Sequence, residues 1–325
     1  MALTWIQKLK FVFSGGIVIA VVASTSAALA ARYEANEITF KDVTATIEII
    51  SMASAEDINV SITQGKTYRA IETAIVDGVL VLEGEPWRAD EAHDCCDRLI
   101  SRDVNLRADR QTQTAPAQDI AFFEDYPVIR VTTPLSTDVN FEDVRMQLDM
   151  DRIDGALNLD GCYVYGEASD VAEASIGILS GSRLIIGNVG AGLEVDISGD
   201  ADFMAGQAAS VDIDIAGPGD VILGVIDGML DVSIAGSGSV RATGLDGPMT
   251  ARIAGSGLAA VRSGRADRLR ATMDGSGLVY FGGETRQPEL RLSGSSEVRL
   301  QSVSGRIDHK GGGAVFVDGA RIELD

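Results

Sequence analysis

Aromatic side chains make up only 5% of this 325-residue chain, which has just two histidines, three cysteines, two tryptophans and seven prolines. Each scarcity excludes something. Serine-hydrolase chemistry needs a histidine base, and the only candidates are His93 and His309. Three cysteines, two of them adjacent, cannot supply paired Cys-x-x-Cys zinc ligation. Beyond residue 166 the aromatics are Phe203, Tyr280, Phe281 and Phe316, so exposed platforms for stacking sugars are few. Basic residues are also sparse, since 27 Lys and Arg against 48 Asp and Glu leave a net charge of −21. That balance opposes nucleic acid and anionic lipid headgroups as partners. It reads as a solubility device, with a divalent-cation surface as the sharper alternative, because Asp196, Asp212, Asp214 and Asp231 fall on adjacent repeats.

What the chain does have is glycine, 36 of them, and from Leu157 onward they keep time. Gly161, Gly181, Gly199, Gly217, Gly236, Gly255, Gly275, Gly294 and Gly311 follow one another at 20, 18, 18, 19, 19, 20, 19 and 17 residues. A period so regular is what a solenoid requires. Two residues before each of the first eight glycines runs an apolar ladder, Leu159, Leu179, Ile197, Ile215, Ile234, Ile253, Met273 and Leu292, with His309 in its place before the ninth. Four before most of these glycines lies a second inward position, Val195, Ile213, Val232, Ala251, Ala271, Leu290 and Ile307, with polar residues between. This period-two alternation is that of a half-buried strand. Four residues after the glycine the apolar side returns at Tyr165, Ile185, Phe203, Val221, Val240, Ala259, Val279, Val298 and Val315. Each repeat is therefore strand, tight turn, strand and polar connection, with Ser237, Ser256, Ser276 and Ser295 at one corner.

Coils of this length that superpose residue on residue predict parallel strands in register. Nine of them at roughly 4.8 Å per coil make a rod on the order of 40 Å long. Helical repeats are disfavoured, since the connections 207–210 and 282–287 lack a three-to-four periodicity. Calcium-binding nonapeptide coils would need an Asp after nearly every Gly-x-Gly turn, and only Gly217-Pro218-Gly219-Asp220 supplies one. A phosphate loop needs a helix after its glycines, whereas here a strand follows each turn.

Lys8 and Lys10 precede an apolar run, Phe11 to Ala31, that closes on Ala28-Leu29-Ala30, small residues suited to a leader peptidase. Residues 1–30 read as a signal peptide, an uncleaved anchor being the alternative. Residues 31–150 read as a less regular β region, and 151–325 as the repeats. Within the former, 44–50, 58–63 and 79–83 read as strands, and Gln64-Gly65 and Asp77-Gly78 as turns.

The Ile62-Thr63-Gln64-Gly65 turn, the segment ending Asp77-Gly78-Val79-Leu80-Val81-Leu82, the run Ile129 to Pro134 and the repeated Gly-Ser-Gly turns resemble the putative auto-transporter adhesin head GIN domain family. The likeness spans nearly the whole mature chain. It implies a right-handed β-helix-like solenoid in an exported envelope or surface protein of bacteria; with the period above, the expected fold is an all-β, right-handed parallel β-helix-like solenoid with about nine C-terminal coils of 17–20 residues. It brings no catalytic residues. The sequence departs from the family in an insertion, residues 86–123, that holds Trp87, His93, Cys95 and Cys96.

His93-Asp94-Cys95-Cys96-Asp97 invites a metal reading that its spacing opposes, because vicinal thiols do not readily reach one tetrahedral ion. In an exported chain a disulfide is the expected use, Cys96 to Cys162 or Cys95 to Cys162, leaving one cysteine over. No catalytic, metal or cofactor site is predicted. The expected role is a non-catalytic scaffold for a protein or glycan surface, touching membrane only through an N-terminal anchor. The alternatives are a carbohydrate-active enzyme using Asp212, Asp214 and Asp231, and an envelope-stress signalling partner.

Overall fold

A computed structural model describes residues 18–20, 29–67, 69–85, 123–179 and 181–323. Strand accounts for 71% of it, and a parallel β-solenoid of about nine turns runs between residues 139 and 317. In a representative coil the long face is Leu230–Gly236, the short face begins at Ser239, and Gly244 to Asp246 form a narrow third side. Each strand pairs in parallel with the same stretch of the next coil: Leu230 to Gly236 lie opposite Met249 to Gly255, which lie opposite Leu269 to Gly275.

Register turns the sequence ladder into a physical column. Ile197, Ile215, Ile234, Ile253, Met273 and Leu292 stack coil on coil, none more than 3% exposed. Val195, Ile213, Val232, Ala251, Ala271 and Leu290 form the second inward column. Leu184, Phe203, Val221, Val240, Ala259, Val279, Val298 and Val315 close the core from the short face. Fully burying an aliphatic side chain of this size contributes about 1.5–3 kcal/mol, so the columns are the main cohesion of the rod.

The corner is made by glycine. Gly217, Gly236, Gly255 and Gly275 hold φ of 127°, 135°, 125° and 125°, a region closed to most L-residues. They also stack so tightly that a β-carbon at Gly255 would stand 2.4 Å from the Gly236 carbonyl oxygen. The next residue of each corner then bonds backward: the Ser237, Ser256, Ser276 and Ser295 amides donate to the Gly217, Gly236, Gly255 and Gly275 carbonyls at 3.2, 2.9, 2.8 and 2.8 Å. The four serines themselves are exposed.

At both ends of the series the glycine count misleads. Gly161 is no turn; it lies inside the strand Ala156–Ala168, buried, opposite Ile178, and the space of its missing side chain is taken by Val164. Leu159 consequently belongs to the second column, opposite Ile176. In the following coil the glycine, Gly181 at φ 80°, comes one residue later in a corner of unchanged length. Ile178 and Leu184 therefore hold the inward places assigned to Leu179 and Ile185, which are only half-buried, as is Tyr165. Gly311, at φ 107°, sits opposite Leu292 because the last corner is short. His309 thus faces Leu290, and Ile307 is only partly buried.

Stacking does not begin at residue 151. Asp138–Met150 is already a full coil beneath Ala156–Ala168, and Glu37–Lys41 with Thr44–Ser51 forms the layer below it. Beyond that layer lie Val79–Glu83 and Val128–Thr133, still parallel. Antiparallel strands then cover this end: Ile58–Thr63 against Val128–Thr133, and Glu72–Val76 against Val79–Glu83 through a two-residue turn at Asp77 and Gly78, both at positive φ. Leu29–Tyr33 and Val18–Ala20 add outer strands. At the other end Ala320–Ile322 folds back antiparallel on Val315–Val317. One apolar core runs from Ala35 to Val315.

Candidate functional site

The long face is the broadest patterned surface, and its outward residues form two straight lines. Asn140, Asn158, Ser175, Glu194, Asp212, Asp231, Thr250, Arg270 and Glu289 follow one line in register. Beside it run Asp196, Asp214, Ser233, Arg252, Thr272 and Arg291. Two shallow grooves follow this face, of about 470 and 480 Å³, and share Asp196 and Ser198. Alternation puts these polar residues outward because their neighbours at i±1 are the core ladders.

Side chains along the lines bind their counterparts one coil away. Asn158 Nδ2 donates to Asn140 Oδ1 at 2.8 Å, and Asn140 Nδ2 to Glu37 Oε1 at 2.6 Å. Arg252 Nη1 reaches Asp231 Oδ1 at 2.6 Å, and Arg270 Nη2 reaches Glu289 Oε2 at 2.9 Å. The charges are thus partly segregated, with carboxylates on the coils of Glu194, Asp212 and Asp231, and arginines on the three that follow, the last of which also carries Glu289. Partial burial, then the neighbouring Asp214 carboxylate, raises the Asp196 carboxyl above its ordinary value. Burial, then Asp231, does the same to Asp212, and on the short face burial, then Asp220, to Asp202. The hydrogen bond from Arg270 lowers Glu289.

The outward acids singled out by the sequence, Asp196, Asp212, Asp214 and Asp231, do come together on one face. Their surroundings are those of an open sheet, and Asp231 is held by Arg252. Asp212 and Asp231 sit one above the other, separated by about one strand spacing, ~4.8 Å, with no wall to exclude water. Among the described residues no group of three His, Cys, Asp or Glu side chains is placed to hold a metal ion. No helix among them is long and apolar enough to cross a membrane.

Cys162 is buried in the strand Ala156–Ala168 and is disulfide-bonded. Trp87, His93, Cys95 and Cys96 lie outside the described residues, as does most of the leader. Where the insertion returns, Phe123 is buried beside Tyr126 and Tyr163, with ring centroids 6.4 and 6.0 Å away, so its exit is anchored next to the Cys162 strand. Sequence reasoning did not foresee the asparagine line, although Asn140 and Asn158 stand one coil length apart.

No family model matches the chain, and no curated protein does. Solved structures that resemble it include a "putative adhesin" from Parabacteroides distasonis, 13% identical with a TM-score of 0.40, covering 93% of this chain and 97% of that one. Another is a "putative adhesin" from Parabacteroides merdae, 12% identical with a TM-score of 0.31, covering 93% and 96%. A third is a "putative lipid binding protein" from Parabacteroides distasonis, 12% identical with a TM-score of 0.33, covering 93% and 97%.

Proposed function

We propose that this chain is an exported, non-catalytic scaffold that uses the faces of its solenoid to hold a protein or glycan surface, in the envelope or outside the cell, as an adhesin does. The observation that carries this reading is the long face: polar side chains in straight lines, one coil apart, beside open grooves of about 470 and 480 Å³. A partner with repeating chemistry meets repeating contacts along such a surface, which is how solenoids bind extended ligands. Export is supported by the leader-like segment and by the disulfide at Cys162, a bond that persists in oxidising compartments.

The test combines protease accessibility on intact cells, mass measurement of the mature amino terminus, and attachment of cells lacking the gene. Expected are cleavage near residue 30, digestion from outside or after outer-membrane permeabilisation, and reduced attachment that the intact gene restores. A protein held in the cytoplasm, or full attachment without the gene, overturns the proposal.

A further inference from the structure

The short face has two outward lines, and the one away from Asp202 and Asp220 carries no carboxylate from Ile222 to Arg299. Outward from its core column, Ile222, Arg241, Ala260, Tyr280 and Arg299 lie on successive coils. Beside them, Arg262 donates its amide to the Ala242 carbonyl, and Gly282 lies over the Arg262 carbonyl. Ile222, Arg241, Thr243, Ala260, Arg262 and Tyr280 line a groove of about 270 Å³. On a chain of net charge −21 the lining holds two arginines and no carboxylate.

Each group is set for use. Arg241 Nη1 donates to Ser239 Oγ at 2.6 Å and forms an ion pair with Asp220 Oδ1, beside the groove, at 3.4 Å; both contacts use one nitrogen, which fixes the guanidinium and leaves its other donors for a second carboxylate. Arg262 is exposed, and its guanidinium has no hydrogen bond or ion pair among the described residues. A β-carbon at residue 282 would stand 2.9 Å from the Tyr280 hydroxyl, so the phenol reclines across the glycine, half exposed, instead of projecting into solvent. Ala260, between Arg241 and Tyr280, keeps the floor low. Arg241 and Tyr280 are two coils apart, roughly 10 Å.

We infer that this groove binds a carboxylated polysaccharide: Arg241 and Arg262 take the carboxylates of uronic-acid units, and Tyr280 stacks on a sugar ring. A guanidinium presents a planar fork that matches a carboxylate, and an aromatic face packs on apolar surface while its hydroxyl stays wet. The inference rests on the scaffold reading above and narrows its partner to an acidic glycan. A polynucleotide, with a phosphate at every residue, carries about twice the charge per residue of a chain with a carboxylate on every second sugar and meets correspondingly stronger repulsion from the acidic remainder.

The test is isothermal titration of the full mature chain, at low ionic strength, with hyaluronan oligosaccharides, in which every second sugar carries a carboxylate. Dextran and single-stranded DNA serve as comparisons. Hyaluronan should bind, dextran should not, and Arg262→Glu and Tyr280→Ala should each weaken binding at least tenfold with unchanged melting temperature. Asp212→Asn, on the long face, should leave binding unaltered, and Arg262→Gln provides a milder variant. The inference is overturned by absence of hyaluronan binding, by affinity that survives both substitutions, or by DNA binding as tight through the same residues. Attachment of cells that still depends on the gene in any of those cases would leave the scaffold reading standing and remove only the groove.

Discussion

The rings of Phe40 and Phe141 stack with centroids 4.9 Å apart and an interplanar angle of 15°. They are register partners in neighbouring layers, and each precedes a corner, at Asp42 and Asp143, held at φ 53° in both. The contact shows that layer order is not chain order. The chain lays down 37–51, moves outward to build the cap and the 79–83 and 128–133 layer, then returns past it to place 138–150 on the first layer's other side. The stacked rings join the repeats to the end that covers them.

Phe141→Ala should therefore cost about 3–5 kcal/mol, the usual range for a buried phenylalanine. The loss should fall unevenly. Hydrogen exchange at 37–51 should accelerate far more than at 249–255; equal acceleration in both would mean that the layers do not separate.

Ile234 is 2% exposed in the middle of its column. Ile234→Asp puts an unpaired charge there, a penalty of several kcal/mol, and loss of soluble protein or of a cooperative melt is expected. Ser237→Ala, at the exposed corner three residues on, should change stability by less than roughly 1 kcal/mol. A wild-type melt for the first variant would contradict the inward assignment.

The corner glycines differ from ordinary turn glycines in a measurable way. Gly255→Ala meets both a φ of 125° and a carbonyl oxygen 2.4 Å from the new carbon, so the neighbouring coil must shift, at a cost of about 2 kcal/mol or more. Gly319, at φ 76°, has nothing within 4 Å of that position, so Gly319→Ala should cost only about 1 kcal/mol, from backbone conformation alone. Chemical denaturation of the two variants compares them directly, and equal losses would refute the stacked-corner account.

The raised carboxyls set a direction for pH. Asp196, Asp202 and Asp212 hold protons more tightly folded than unfolded, so their contribution is fully present below the unfolded value near 3.9 and is lost as pH rises through the folded values. Glu289, lowered by Arg270, acts oppositely and stabilises above its unfolded value. Asp212→Asn should raise the melting temperature at pH 7 and give no gain at pH 3.5. A variant less stable than wild type at pH 7 would show that the carboxylate has a favourable partner.

Much of the solenoid was legible because its cause is local and repeated. Strands 58–63 and 79–83 and the inward columns from Val195 to Leu292 follow from alternation and period alone. The errors share one origin: counting back from a glycine assumes that it keeps its place in the corner. Gly161 stands in a strand, Gly181 is one residue late, and Gly311 belongs to a shortened corner, so Leu159, Leu179 and Ile307 were misplaced with them. The layer order was not legible, because pairing of Glu37–Lys41 with Asp138 to Glu142 leaves no local trace. The Arg241, Arg262 and Tyr280 groove escaped notice because it crosses two outward lines and three coils.

The strand Ala320–Ile322, turned back on the final short-face run, and the antiparallel strands at the opposite end interrupt the parallel stacking at both extremities. Open rungs at both tips would recruit further copies and elongate indefinitely. Where antiparallel strands interrupt the stack, length follows the number of repeats: each added or deleted repeat moves the two extremities by about 4.8 Å and leaves every other rung as it was. Relatives of different reach could then arise by duplication or loss of whole repeats, with no redesign of the interior.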